Sequence, residues 1–264
     1  MRAAVELGRD GHQVVLLERG PALGGQLLRA RRVPGRESVD LLLQDLMRDL
    51  GALGVDVRLD TPATADTIRA EGADEVVIAT GSRAPLRTSL AVGGTWVDGV
   101  PDNVVDAFTA LDDPAALGRC VVVDSDGTAY ASGVVLSLLG GHGEVEVVTA
   151  FESLFPHVGS GYDRQLLLES LGAAAGFRRR VQHVVEAWGA GELTVRDSLT
   201  GARTVVRGVD TIVVVEPRES VLPAGLDVAA RVIGDALAPR TIDAAIFDAV
   251  EVAYAPGNTN ALRR

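Results

Sequence analysis

The 264-residue sequence contains no lysine, which excludes a lysine base or a lysine Schiff base from any chemistry it performs. It has one cysteine, Cys120, which excludes an internal disulfide and a cysteine-ligated cluster. The apolar run around Cys120 predicts a buried, unreactive thiol. Apolar runs such as 134–139 are too short to cross a bilayer, and no charged-then-apolar leader opens the chain. We therefore expect a cytoplasmic protein that does not enter a membrane.

Other common binding and catalytic patterns are also missing. The four histidines, His12, His142, His157 and His183, are not spaced as metal ligands, and no G-x-S-x-G elbow is present. His12 and His142 each follow a glycine before a predicted strand, which indicates a structural role. The net charge of −11 argues against nucleic-acid binding. The sequence therefore predicts no metal site, no nucleic-acid partner and no catalytic acid, base or nucleophile of its own.

The sequence does contain short apolar runs that alternate with helical segments, a pattern typical of parallel sheets with crossover helices. The predicted strands are 13–18, 55–59, 75–80, 119–124, 144–149, 211–215 and 229–233. The predicted helices are 38–50, 162–171 and 241–252, and a meander of antiparallel strands is expected over 181–195 and 204–206. The expected fold class is α/β.

The first twenty residues resemble a dinucleotide-binding unit without its opening strand and glycine turn. Residues 2–11 are typical of the back half of a helix closed by glycine, and the strand 13–18 ends in Glu18. A carboxylate at that position can accept hydrogen bonds from both ribose hydroxyls, although Glu18 could also be an ordinary polar residue at a strand end. Met1 falls inside the helix, so the G-x-G-x-x-G turn that would seat a pyrophosphate is absent from the sequence.

Three ordered motifs follow. They are Glu18-Arg-Gly with Leu23-Gly-Gly-Gln-Leu27 and Val33-Pro-Gly-Arg-Glu37, then Val76-Val-Ile-Ala-Thr-Gly-Ser82, then Val232-Ile-Gly-Asp-Ala-Leu-Ala-Pro-Arg240. Together they resemble the C-terminal region of the 2,4-dienoyl-CoA reductase and trimethylamine dehydrogenase family. These old-yellow-enzyme-like flavin oxidoreductases carry an FMN and iron-sulfur barrel in front of two nucleotide-binding domains.

The resemblance implies two Rossmann-like three-layer domains, the second inserted in the first. The first would comprise 1–95 plus 216–264 and would bind FAD or ADP, and 96–215 would be a degenerate NAD(P)-binding-like domain. The cofactor-binding residues that it implies are Glu18, Arg19, Gly25, Gln26, Ala79, Thr80, Gly81, Gly234 and Asp235. The Asp235 carboxylate and the amides after Gly234 would meet the flavin's ribityl and pyrophosphate region. The alternative is that Gly234-Asp235 is only a turn with a helix cap.

The second strand-turn-helix-strand, from 119 to 149, has an unsuitable phosphate turn. Asp124-Ser-Asp-Gly-Thr-Ala-Tyr130 stands in place of G-x-G-x-x-G, and its two carboxylates would repel a pyrophosphate. The following strand ends in Thr149 without an acidic residue for a ribose. We therefore do not expect NAD(P)H to bind there, which resembles the trimethylamine dehydrogenase branch more than the dienoyl-CoA reductase branch.

The leading functional hypothesis is an FAD- or ADP-binding module of a flavin-dependent oxidoreductase, working with a separate or missing barrel. The alternatives are a non-catalytic scaffold or partner subunit, and an NAD(P)H-dependent reductase with an unusual turn. Without its first strand the sheet would be open along 13–18, so we expect a protein partner or a homo-oligomer to cover it. We also expect FAD binding by the isolated chain to be weak or absent. Ser82 is expected in a loop.

Overall fold

The chain forms two compact units, the second inserted into the first. The computed structural model describes residues 1–86, 101–141, 143–159, 161–189 and 191–254. The first unit comprises Met1–Arg31, Glu37–Arg83 and Arg218–Arg264, and the second comprises Arg32–Arg36 and Ala84–Pro217.

Twelve of the elements belong to the first half of the chain. In order they are α1 (Arg2–Arg9), β1 (Val15–Leu17), α2 (Leu27–Ala30), α3 (Ser38–Ala52), β2 (Asp56–Arg58), α4 (Ala65–Glu71), β3 (Val76–Ile78), β4 (Ser82–Arg83), β5 (Val104–Asp106), α5 (Ala107–Asp112), β6 (Cys120–Asp124) and α6 (Ala129–Gly140). The later elements are β7 (Val145–Thr149), α7 (Tyr162–Ala173), β8 (Phe177–Arg180), β9 (His183–Gly189), β10 (Glu192–Asp197), β11 (Arg203–Arg207), β12 (Thr211–Val215), β13 (Glu219–Ser220), β14 (Ala230–Val232) and α8 (Ile242–Tyr254). Short 3-10 turns lie at Pro114–Leu117 and Gly234–Ala236.

The second unit is built on a five-stranded sheet in which every neighbouring pair is parallel, in the order β5-β12-β6-β7-β8. Every residue of β6, β7 and β12 is buried, as expected for strands that are covered on both faces. On β6, Cys120 and Val122 pack on the side of α5 and α6, while Val121 and Val123 pack on the opposite side. The opposite face is covered by the β9-β10-β11 antiparallel sheet through Val185, Leu193, Val195 and Val206.

The first unit contains a parallel sheet that is divided into two halves. β1 pairs only with β2, and β3 pairs only with β14, among the residues that the structure describes. α1 packs against both halves: its Ala4 and Val5 lie in one cluster with Leu16 of β1, and its Ala3 lies in another with Val77 of β3. One helix therefore covers two pairs of strands that share no hydrogen bonds in the described residues.

The backbone pattern shows which strand edges remain open. Residues that alternate along a strand direct their N–H and C=O groups to opposite sides. The carbonyl of Val14 accepts from Asp56 at 3.0 Å, so Val15 and Leu17 direct their groups away from β2. The carbonyl of Ile78 accepts from Ile233 at 3.0 Å, so the groups of Val77 point away from β14.

The side chains of β1 are also incompletely covered. Val15 is 40% exposed, and neither Leu16 nor Leu17 is fully buried. An all-apolar strand that follows a helix is typical of the middle of a parallel sheet, where both edges are paired. β1 has the sequence of a central strand and the surroundings of an edge strand.

Most predicted elements form, but they are shorter than expected at the strands. The predicted strand 13–18 forms β1 over Val15–Leu17, and 75–80 forms β3 over Val76–Ile78. The α/β fold class is confirmed. Ser82, expected in a loop, is instead the first residue of β4 and is 8% exposed. Its backbone pairs with Ser220 of β13, a pairing between segments too distant for local patterns to indicate.

The unit boundaries differ from the predicted domains of 1–95 plus 216–264 and 96–215. Residues 32–36, 84–86 and 216–217 belong to the second unit. Val33 is 5% exposed in the core beneath α6, and Ala84 and Leu86 pack on the second unit's clusters, so burial decides their assignment. The predicted boundary at 95/96 and His142 lie outside the described residues.

Several sequence expectations about chemistry can be compared with the structure. Cys120 is buried as predicted, and burial, with a contribution from the Asp210 carboxylate, raises the pKa of its thiol to about 11. Among the described residues, none of the helices combines the length and apolarity that a membrane span requires. Within the same ranges, no three His, Cys, Asp or Glu side chains gather in a group that could hold a metal ion.

Candidate functional site

Four polar side chains meet in the first unit and form what we call the Asp235 cluster. Its members are Gln26, Ser82, Arg218 and Asp235. Ser82 is buried, and the side chains of Arg218 and Asp235 are 17% and 13% exposed. The members come from four separate segments of the chain, so only the tertiary fold brings them together.

The hydrogen bonds of the cluster converge on the Asp235 carboxylate. Its Oδ2 accepts from Ser82 Oγ at 2.8 Å, from Gln26 Nε2 at 3.4 Å and from the Arg218 guanidinium. Its Oδ1 accepts from the backbone N–H of Arg240 at 3.0 Å. Asp235 is therefore an ion-paired group that fixes the surrounding segments, in addition to any contact it makes with a ligand.

Backbone conformation places these side chains. Gly81 has φ +78° and Gly234 has φ +58°, a left-handed region that costs other residues free energy. A Cβ added at Gly81 would lie 3.4 Å from Gln26 Nε2. The carbonyl of Gly81 accepts from Val221 N at 3.0 Å, and Thr80 Oγ1 donates to the Val221 carbonyl, which holds the Ala79–Gly81 turn against the start of β13's strand partner segment.

The other implied cofactor residues lie at the end of β1 and beyond it. Glu18 Oε1 accepts from Gly20 N at 2.8 Å, and Arg19 is exposed. Burial lowers the pKa of the Met1 α-ammonium and the Glu18 carboxylate opposes that shift, so Glu18 faces the start of α1. Gly25 has φ +51°, and a Cβ there would meet no atom within 4 Å. A ligand could therefore approach the backbone of Gly25 closely.

The residues present fit part of an FAD or ADP molecule. A half-buried carboxylate at the carboxyl end of a parallel strand suits a ribose diol, because one oxygen of Glu18 holds Gly20 and the other can accept from hydroxyl groups. Gly25, Gly81 and Gly234 allow close approach of backbone at the Asp235 cluster. The amide of Gly234 is already bonded to Asp248 Oδ2 at 2.9 Å. We therefore find donors and acceptors for ribose and polyol groups in this unit.

In the second unit, the turn after β6 is filled by its own carboxylates. Asp124 Oδ1 accepts from the N–H of Asp126 at 3.0 Å and of Gly127 at 2.8 Å, and Asp126 Oδ2 accepts from Thr128 N at 3.0 Å. Thr128 Oγ1 in turn caps α6 by accepting from Tyr130 N at 3.1 Å. These amides occupy the position from which a glycine turn would hold a phosphate. They are bonded to the chain itself.

The same turn is covered by the segment after β7. A Cβ at Gly127 would come within 2.8 Å of Phe151 and 3.1 Å of His157, and the Gly127 carbonyl accepts from His157 N at 2.9 Å. Asp124 is 2% exposed, and its Oδ2 is buried without a partner in the described part of the chain. Burial, with a smaller contribution from Asp126, raises the pKa of Asp124 to about 6 against the opposing hydrogen bonds and His157.

The structure thus gathers only some of the implied residues. It brings Gln26 and Asp235 into direct contact and places Thr80, Gly81 and Gly234 beside them, whereas no described contact joins Glu18 or Arg19 to the cluster. Sequence analysis missed Arg218 altogether. Its signal was weak, because a single arginine after Pro217 in a chain of many arginines does not indicate a partner 192 positions away.

No protein-family model matches this chain. Two curated relatives do: an NADH oxidase of Thermoanaerobacter brockii, 42% identical over 31% of this chain, and a bilirubin reductase of Mediterraneibacter gnavus, 39% identical over 58% of it. The matched segments make up 13% and 23% of those two proteins, so the chain corresponds to a small part of each.

A solved structure extends the likeness to the whole chain at the level of fold. The histamine dehydrogenase of Rhizobium sp. 4-9 superposes with a TM-score of 0.80 and 23% identity, covering 100% of this chain and 44% of that one. The relatives and the fold agree with the motifs at Glu18–Gln26, Val76–Ser82 and Val232–Arg240. The chain is therefore identified as a relative of the C-terminal FAD/NAD-binding region of this family of flavin-dependent oxidoreductases.

Proposed function

We propose that the chain is the FAD- or ADP-binding module of a flavin-dependent oxidoreductase whose redox reaction takes place on an FMN and iron-sulfur barrel outside this sequence. The first unit binds the nucleotide, with Glu18 at the ribose and Gly25, Gln26, Gly81 and the Gly234-Asp235 turn at the opposite end. The bound flavin would supply electron transfer, and the chain's residues would bind and orient it. A cytoplasmic location remains an expectation from the sequence.

The observation that carries this proposal is the convergence of Gln26, Ser82 and Asp235. Ser82 Oγ donates to Asp235 at 2.8 Å although 153 positions separate them in the sequence. The motifs that supply these residues thus meet at one place, beside glycines with left-handed conformations. Such a group of polar atoms suits the hydroxyl groups of a nucleotide or flavin side chain.

A direct test is to titrate the purified chain with FAD and with ADP and to measure bound nucleotide after rapid gel filtration. We expect weak binding, with ADP and FAD competing for one site. Glu18→Gln should weaken binding by about 1–3 kcal/mol, because a neutral amide accepts hydrogen bonds from a ribose less well than a carboxylate. Asp56→Asn, an exposed carboxylate on β2, is the control and should leave the affinity unchanged. Equal affinities of wild type and Glu18→Gln would contradict the ribose assignment.

The second candidate function is a scaffold or partner subunit that binds no nucleotide. The filled and covered turn at Asp124 favours it for the second unit, because no free amides face a phosphate there. We propose on the same ground that NAD(P)H does not bind this unit, against the third candidate, an NAD(P)H-dependent reductase. A purified chain that is colourless and releases no nucleotide on denaturation favours the scaffold. A saturable shift of second-unit NMR signals with NADPH would favour the reductase.

We also propose that another polypeptide, a partner subunit or a second copy of the chain, covers the open edges of β1 and β3. The exposed Val15 and the outward-facing peptide groups support this, because an unpaired apolar edge favours strand addition. Light scattering of the purified chain should show association that rises with concentration. Val15→Lys should reduce it, because a charged edge residue disfavours pairing. A monomer over the full concentration range would contradict the proposal.

A further inference from the structure

Arg218 links three segments of the first unit that are far apart in sequence. Its Nη1 donates to Gln26 Oε1 at 2.8 Å and to the Asp235 carboxylate, and its Nη2 donates to the carbonyl of Arg240 at 2.7 Å. A planar guanidinium has donors in fixed directions, so a residue that uses both terminal nitrogens in this way fixes the relative positions of its acceptors.

Arg218 also sets the orientation of the Gln26 amide. With Oε1 held by Arg218, the amide must direct Nε2 toward Ser82 Oγ, at 2.9 Å, and toward Asp235. Without the guanidinium the amide could turn and present its oxygen instead. Gln26 follows Gly25, where the backbone is open to approach, so the orientation of this amide determines which polar atoms border that opening.

The guanidinium has an electrostatic effect as well. Asp235 is 13% exposed, and an unpaired carboxylate at that depth would repel the phosphates of a nucleotide bound beside it. Arg218 cancels this charge. Nearby, Arg240 pairs with Asp248 in the same manner, so both carboxylates at the start of α8 are neutralised by arginine.

We propose that Arg218 is a positioning residue of the nucleotide site: it orients Gln26 and neutralises Asp235 so that the site accepts an anionic adenine or flavin nucleotide. This inference rests on the proposed function. It assigns to Arg218 a role that its sequence context does not indicate, and it places the residue behind the groups that would touch the ligand.

The first measurement needs no ligand. In the full chain, Arg218→Gln should shift and broaden the NMR signals of the Gln26 side-chain amide, and Arg218→Lys should move them less. It should also raise the unfolding equilibrium constant by about a hundredfold, because a largely buried carboxylate loses its partner. Arg83→Gln is the matched control, since the Arg83–Glu219 pair lies on the adjoining β4–β13 strands but its side chains are 69% and 32% exposed. That variant should change the constant by only about twofold.

The second measurement is an ADP titration followed by backbone-amide shifts. Arg218→Gln should bind ADP about tenfold more weakly than wild type when the folded fraction is counted, with partial recovery in Arg218→Lys, because lysine restores the charge without the fork. Unmoved Gln26 signals, or equal ADP affinity in wild type and Arg218→Gln, would overturn the role of Arg218 alone. Absence of ADP binding to every variant, with Gln26 signals that still move, would overturn the proposed function instead.

Discussion

Asp124→Asn should change the pH dependence of stability more than any other single replacement of a carboxylate in the second unit. The wild-type Asp124 carboxyl has a folded-state pKa of about 6 against 3.8 for the ordinary group, and the cause is burial. The folded state therefore holds this proton at a pH where the unfolded chain has lost it. Stability contributed by this group is complete below about pH 4 and is lost as the pH rises through 6.

The size of the effect follows from that difference in pKa, which corresponds to about 3 kcal/mol. The free energy of unfolding of Asp124→Asn, relative to wild type, should rise by about that amount between pH 4 and pH 7. Asparagine retains the acceptor that holds the amides of Asp126 and Gly127, so the turn can persist without the charge. The constant offset between the two proteins is not part of the prediction.

Urea denaturation at several pH values, followed by the fluorescence of Trp188 in the second unit, provides the measurement. Asp113→Asn removes an exposed carboxylate from the same unit and is the control. Its difference from wild type should stay small because solvent screens the charge. If the Asp124→Asn difference were as flat as the control's, the buried carboxylate would not hold a proton in the folded state.

The second-unit turn shows how far sequence reasoning extended. The residues Asp124 and Asp126 predict that a pyrophosphate would be repelled, and that prediction needs only their charge. The structure adds that Asp124 accepts the amides that a phosphate would need, and that Phe151 and His157 cover the turn. Those contacts depend on side-chain rotamers and on a segment beyond the next strand, which local patterns do not encode.

The first unit gives a similar lesson. The periodicity of apolar residues predicts β1, α3 and α8, because burial on one face imposes a repeat that is visible in the sequence. The motifs predict that Gln26 and Asp235 belong to one site. They do not reveal that Arg218 neutralises Asp235, because an ion pair between distant segments imposes no repeat and no spacing. Val33 likewise joins the second unit for a reason of packing alone.

Adding a strand and a glycine turn beside β1 should raise the affinity for FAD and ADP by about a hundredfold, because two or three amides would then bond to the pyrophosphate. An extension with an apolar strand and G-x-G-x-x-G, joined to Met1, would pair with the outward-facing groups of Val15 and Leu17 on one side and Val77 on the other. α1 already packs on both halves of the sheet, so the added strand would lie under an existing helix.

Two matched extensions separate the effects of strand and turn. One carries proline in the strand, which prevents pairing and should restore neither the sheet nor the affinity. The other keeps the strand but replaces the first two glycines of the turn by aspartate, which should stabilise the sheet without improving nucleotide binding, as in the Asp124 turn. In the fully extended protein, Glu18→Ala should then cost about 1–3 kcal/mol of binding free energy. Equal nucleotide affinity in all three extended proteins, measured by titration calorimetry, would show that the open edge between β1 and β3 has no part in the nucleotide site.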